Sequence, residues 1–157
     1  MIFDKATKKD IGVLTDLRIA YLNEDLGIIS DENLELMQST LPSYYTKHLN
    51  KDLMVYVARD EMDIVSCAFL LIVEKPMSPS FITGKTGTVL NVYTKPEYRK
   101  KGYAKKLMTM MLEDARIIML LDYNLIEAKP DVVHLHPGDI PYIPFSYILP
   151  EMFQVPY

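Results

Sequence analysis

The chain reads as a mixed α/β fold with a mostly antiparallel central sheet flanked by helices, and three observations predict it. Two strand-like runs, residues 53–59 and 64–73, are separated by a polar turn of hairpin size and imply an antiparallel pair. Two helical segments precede that pair. A strand, a long amphipathic helix and a further strand follow it, which is the order of a crossover connection. Antiparallel strands with one late crossover make a mixed sheet.

Each element has its own local signal. Residues 1–6 alternate weakly, as a short strand does. Thr7 and Asp10 offer helix-start chemistry, and Ile11, Leu14, Arg18, Tyr21 and Leu22 share one helical face, so a helix is expected over 8–23. Gly27 interrupts it. Ser30 or Asp31 can cap a second helix carrying Leu34, Met37 and Leu41. Pro42 is expected to kink or restart that helix, which runs towards His48. Residues 75–87 hold two prolines, two glycines and two serines and read as a loop long enough to be functional. Residues 88–94 form the next strand. A stripe from Leu107 through Met111 and Ala115 to Met119 marks the long amphipathic helix. Residues 123–129 can form another strand, ended by Pro130. From there to Tyr157 the chain is proline-rich and shows no period.

Composition narrows the functional classes. With 157 residues, 49% hydrophobic and 24% charged, the chain fits one globular domain over 1–157 rather than a disordered one. A net charge of −4 argues against nucleic acid as a partner. No apolar run has the length of a signal peptide or a membrane span, so the expectation is a cytoplasmic protein without a membrane partner. Cys67 lies in an apolar run and reads as a small core residue.

The chemistry concentrates in residues 89–107, VLNVYTKPEYRKKGYAKKL. A buried strand leads through a short turn into a helix that has no Ser, Thr, Asp or Asn to cap it. Its first N–H groups need another acceptor, water or an anion, and aligned N–H dipoles favour a phosphate. Gly102 lets backbone approach closely, and Ala104 keeps the first turn uncrowded. Lys95, Arg99, Lys100, Lys101, Lys105 and Lys106 place six cations within twelve residues, a positive focus in an acidic chain. The pattern is neither a P-loop nor a dinucleotide fingerprint. A solvated basic face is the alternative reading. The cluster has no interleaved aromatic platform of the kind that binds single-stranded nucleic acid.

The segment Arg99-Lys100-Lys101-Gly102-Tyr103-Ala104 resembles the acetyl-CoA motif [RQ]-x-x-G-x-[GA] of the GNAT N-acetyltransferases. The preceding residues 91–98 are similar to that family's fourth strand and its proline-containing turn, and the element order over about 1–129 matches as well. The resemblance implies a GNAT-like sheet whose fourth and fifth strands open around acetyl-CoA as co-substrate. Val92, Tyr93 and Thr94 would then face the pantetheine arm. Backbone N–H groups of Arg99, Lys100, Lys101, Gly102, Tyr103 and Ala104 would hold the pyrophosphate. It further implies direct attack of a primary amine, from a small molecule or peptide, on the thioester. A non-catalytic acyl-CoA-binding or regulatory module is the alternative.

Parts of the family pattern are missing. Residues 86–94 hold no carboxylate to serve as a base; Glu74 and Glu97 are the nearest and read as surface residues, so no base is assigned. The family's Tyr-x-x-x-Gly-Phe sequence is absent after Lys129, and residues 130–157 form a divergent tail. By position Tyr142 or Tyr147 could act as the acid, but Pro141 and Pro144 exclude a helix around Tyr142. The tail could be a substrate lid, an element exchanged within a homodimer, or a non-native sequence end. His134 and His136 would point to one side of a strand, but no second cluster completes a metal site, and no metal is expected. Tyr21, Tyr44, Tyr45 and His48 either line an acceptor pocket or edge the core.

Overall fold

The structure, a computed structural model, describes residues 1–79, 84–121 and 133–135, and side chains up to residue 115. Its order is β1 (Ile2–Lys5), α1 (Ile11–Leu26), α2 (Asp31–His48), β2 (Leu53–Asp60), β3 (Asp63–Glu74), β4 (Lys85–Thr94), α3 (Tyr103–Leu121) and β5 (Val133–Leu135). The strands lie in the order β1-β2-β3-β4-β5. The first four pair antiparallel, and β5 pairs parallel to β4. The mixed α/β, mostly antiparallel architecture expected from the sequence is what the chain adopts.

Both faces of the sheet are covered. On one face Leu14, Leu17 and Tyr21 of α1 and Tyr45 of α2 pack on Val55, Val57, Cys67 and Phe69. On the other, Leu107, Met108, Met111 and Ala115 of α3 pack on Tyr56, Ala58, Ala68, Leu70, Val89 and Val92. Burial on both sides is why β2 and β3 read as nearly continuous apolar runs. Cys67 is fully buried, and burial pushes its thiol up to about 12, so it behaves as a core residue.

Several expected boundaries move, each for a local reason. Residues 8–10 form a 3-10 turn, and α1 proper runs to Leu26, where Gly27 takes a φ of 89° and ends it. Ser30 caps α2, its hydroxyl accepting from the Asn33 N–H at 3.4 Å. Pro42 neither breaks nor restarts α2. The carbonyl one turn before it, on Gln38, belongs to an exposed residue that water can satisfy, while buried Tyr45 anchors the turn that follows. β4 begins at Lys85, three residues before the expected start, because Lys85, Thr86 and Gly87 pair with Glu74, Val73 and Ile72. The strand expected at 123–129 lies outside the described residues. The strand that lies beside β4 is Val133–Leu135, within the segment read as an aperiodic tail.

Candidate functional site

β4 changes character halfway along. Asn91 pairs with Phe69 and Val89 with Leu70, so Leu90 is an extra residue and forms a β-bulge. The bulge resets the side-chain alternation. Val89 and Val92 both face α3, whereas Leu90 and Tyr93 pack towards α1. β5 pairs only with Gly87, Thr88 and Val89. Beyond the bulge, no described strand pairs with the outer edge of residues 90–94. That edge offers backbone donors and acceptors to an extended ligand, as an added strand would use them.

The chain then turns sharply. Pro96 opens a 3-10 turn over Pro96–Tyr98, and Lys100 and Gly102 take φ values of 61° and 80° before α3 begins at Tyr103. Left-handed residues at such short spacing curl successive N–H groups into a concave run. The Gly102 carbonyl accepts the first helical bond, from Lys106 at 3.1 Å. The N–H groups of residues 100–104 meet no acceptor among the described residues. A Cβ built on Gly102 would meet nothing within 4 Å, so the space above this cradle is open.

Residues 92–94 of that edge and the cradle together line a cleft of about 580 Å³. Val92, Tyr93, Thr94, Arg99, Lys100, Lys101, Gly102, Tyr103 and Ala104, the nine positions singled out from the sequence, all line it. Tyr98 and Lys105 complete that side. Tyr21, Glu24 and Asp25 of α1 form the opposite wall.

The wall supplies a carboxylate that β4 lacks. Both Glu24 oxygens accept from Arg99 Nη2, at 2.7 and 2.6 Å, and Oε1 also accepts from the Tyr93 hydroxyl at 3.2 Å. Arg99 donates further to the Thr94 carbonyl at 2.9 Å and lies over the Tyr93 ring. Burial, and then the Glu24 charge, raise the Tyr93 phenol above its ordinary value and keep it protonated. Glu24 and Asp25 went unread in the sequence. The available signal was helical spacing, since Arg18, Tyr21 and Asp25 succeed one another on one face of α1.

The positive focus is smaller than its six residues suggest. Lys95 binds Asp63 at 2.6 Å, Lys106 sits 3.9 Å from the Phe3 ring centre, and Arg99 is held by Glu24. Lys100 and Lys101 remain exposed at the cleft, the latter 4.9 Å from the Tyr98 ring centre. The Arg99 N–H is also engaged, by the Pro96 carbonyl at 3.2 Å.

The remaining candidates separate. Tyr45 is buried core, whereas Tyr44 stacks on His48, whose Nδ1 lies 2.9 Å from both Asp52 oxygens. Glu74 and Glu97 are exposed, Glu74 beside Lys85 at 3.7 Å. His134 lies on β5, while His136, Tyr142 and Tyr147 lie outside the described residues. No group of three or more His, Cys, Asp or Glu among the described residues could hold a metal ion. No described helix is long and apolar enough to cross a membrane.

Residues 21–125 match the family model described as Acetyltransferase (GNAT) family. The chain belongs to the GNAT family. Its GNAT fold is shared by a predicted acetyltransferase of Clostridium acetobutylicum solved with acetyl-CoA, at 21% identity and a TM-score of 0.73 over 99% of this chain and 90% of that one. A GCN5-related N-acetyltransferase of Ralstonia eutropha is similar at 18% identity and a TM-score of 0.71, covering 99% and 93%. An acetyltransferase of Vibrio fischeri matches at 21% identity and a TM-score of 0.55, covering 78% and 88%. No curated protein matches significantly. Within this GNAT domain the cleft is built by β4, the turn after it, the start of α3 and the last turns of α1.

Proposed function

We propose that this GNAT chain transfers an acetyl group from acetyl-CoA to a primary amine of a small molecule or peptide. The observation that carries the reading is the alignment of two backbone surfaces in one cleft. One is the outer edge of β4 at residues 92–94, which no described strand pairs with, and the other is the run of N–H groups at residues 100–104, which meet no acceptor among the described residues. An extended amide-bearing arm fits the first, and a pyrophosphate fits the second. Lys100 and Lys101 add charge at the phosphate end, and the bare Gly102 leaves room for it.

In this reading Val92, Tyr93 and Thr94 align the pantetheine arm, and its acyl end lies towards the bulge at Leu90. A backbone N–H of β4 polarises the thioester carbonyl. The amine nitrogen bonds to the carbonyl carbon, the C–S bond breaks, and its electron pair leaves on sulfur. The amine proton passes to solvent and the thiolate takes one up, giving an amide and free coenzyme A. Residues 86–94 hold no base, and the Glu24 oxygens that reach the cleft are already bonded to Arg99 and Tyr93.

A steady-state assay of thiol release from acetyl-CoA over a panel of polyamines, amino acids, aminoglycosides and peptides tests this. Amine-dependent thiol release with an acetylated product is the expected result. Coenzyme A binding by calorimetry without thiol release on any amine would replace the enzyme with an acyl-CoA-binding module.

A further inference from the structure

We propose that Arg18 is a positioning residue for the acyl end of this cleft, fixing the β4 bulge so that the free edge beyond it meets the thioester in register. The proposal rests on the acetyl-CoA reading above. It starts from the bulge itself. Leu90 has no partner on β3, so its carbonyl needs a donor from outside the ladder. Arg18 Nη1 donates to that carbonyl at 2.9 Å.

The same nitrogen donates to Asn91 Oδ1 at 3.1 Å, and Asn91 Nδ2 reaches Cys67 Sγ at 3.5 Å. Asn91 is fully buried, so this chain of bonds is what satisfies its amide. One guanidinium thus holds both the extra residue and its successor. Arg18 is itself steadied by Tyr21, whose ring centre lies 5.5 Å away and which lines the cleft one turn further along α1.

α1 acts as a ruler along β4. Arg18 touches Leu90 and Asn91, and Glu24 touches Tyr93 and Arg99. Six helical residues rise about 9 Å, and three strand residues rise about 10 Å. The two contacts therefore match without strain, one at the acyl end and one at the phosphate end. Arg59 and Arg99 are spent on carboxylates, whereas Arg18 bonds only neutral groups among the described residues. Its charge stays at the acyl end, where an attacked carbonyl gains negative charge.

The test is calorimetric titration with coenzyme A and with acetyl-CoA separately, on wild type, Arg18→Met and Arg18→Lys, with urea midpoints in parallel. Arg18→Met should lower the acetyl-CoA to coenzyme A affinity ratio about five-fold while coenzyme A affinity stays within about two-fold. Arg18→Lys should restore most of the ratio, because one nitrogen makes both bonds and an ammonium carries three donors. Should Arg18→Met fail to fold, Arg18→Gln takes its place with the same required drop. An unchanged ratio, or an equal loss for both ligands, would overturn the proposal while leaving the cofactor reading intact. Wild-type chain that binds neither ligand would overturn both.

Discussion

Two arginines in this chain each bind carboxylates from distant segments, and they serve different ends. Arg59 of β2 donates through Nε to Asp4 at 3.1 Å and through Nη1 and Nη2 to Asp10 at 2.9 Å. It is 16% exposed and Asp10 is 12% exposed. Arg99 binds Glu24 with even shorter bonds, yet the two side chains are 43% and 45% exposed. The chemistry is alike, and the solvent differs. Water screens the Arg99 pair, which leaves it little weight in stability. The Arg59–Asp10 pair is sheltered, while Asp4 is 43% exposed, and together they tie β1, the turn before α1 and β2 into one frame.

The largest expected effect comes from breaking the sheltered member. Arg59→Met leaves the sheltered Asp10 carboxylate without its partner and should cost about 3 kcal/mol of unfolding free energy, read from urea midpoints. Coenzyme A affinity of the folded fraction should not change, since Arg59 is not among the residues that line the cleft. A stability loss below about 1 kcal/mol would place the two pairs in one class. Acid titration sharpens the point. Arg59 holds the Asp10 carboxyl at about 2, below its ordinary 3.8. The stability this gives is complete above about pH 4 and is lost as pH falls through about 2. Wild type should lose roughly 2 kcal/mol across that window through this group, and Arg59→Met should lose much less.

Next in size is the cradle. Gly102 has a φ of 80° and open space above it. Gly102→Val should cost about 1–2 kcal/mol of stability through the left-handed backbone. It should weaken coenzyme A binding about 100-fold by filling the phosphate position, which calorimetry on the folded variant measures. Unchanged affinity would move the pyrophosphate elsewhere.

The fold was legible where burial shows in the residues, as an apolar run or an apolar stripe. β2, β3 and α3 announce themselves by apolar residues, and each was placed to within a few positions. At residues 92–94 and 99–104 a glycine, an uncapped helix start and a family motif coincide, and all nine positions line the cleft. The α1 wall was not legible. Glu24 and Asp25 are two acids on an exposed helix end, and only the packing of α1 along β4 brings them to the cleft. Arg18 was visible as a charge on an apolar face, but the bulge it serves is a pairing irregularity that leaves no mark in the residues around Leu90. Lys106 and Lys95 belong to the basic cluster in sequence, but tertiary contacts assign them to Phe3 and Asp63.

The smallest expected effect tests the exposed member of the comparison. Glu24 puts a negative charge beside the surface proposed to hold pyrophosphate, and Asp25 lies on the same wall. If the Arg99 pair contributes little to the frame, Glu24→Gln should change stability by less than about 1 kcal/mol. The same change removes a repulsive charge from the phosphate end and releases Arg99, so coenzyme A should bind about three-fold tighter at low salt. That gain should shrink as ionic strength rises to physiological values, because these groups are exposed and screened. Tyr93 keeps its place through burial against the α1 side of the core, so the β4 edge itself should not shift. A fall in coenzyme A affinity would reverse the assignment. It would mean that Glu24 holds Arg99 and Tyr93 in the geometry the ligand needs, and that this exposed pair builds the cleft as surely as Arg59 builds the frame.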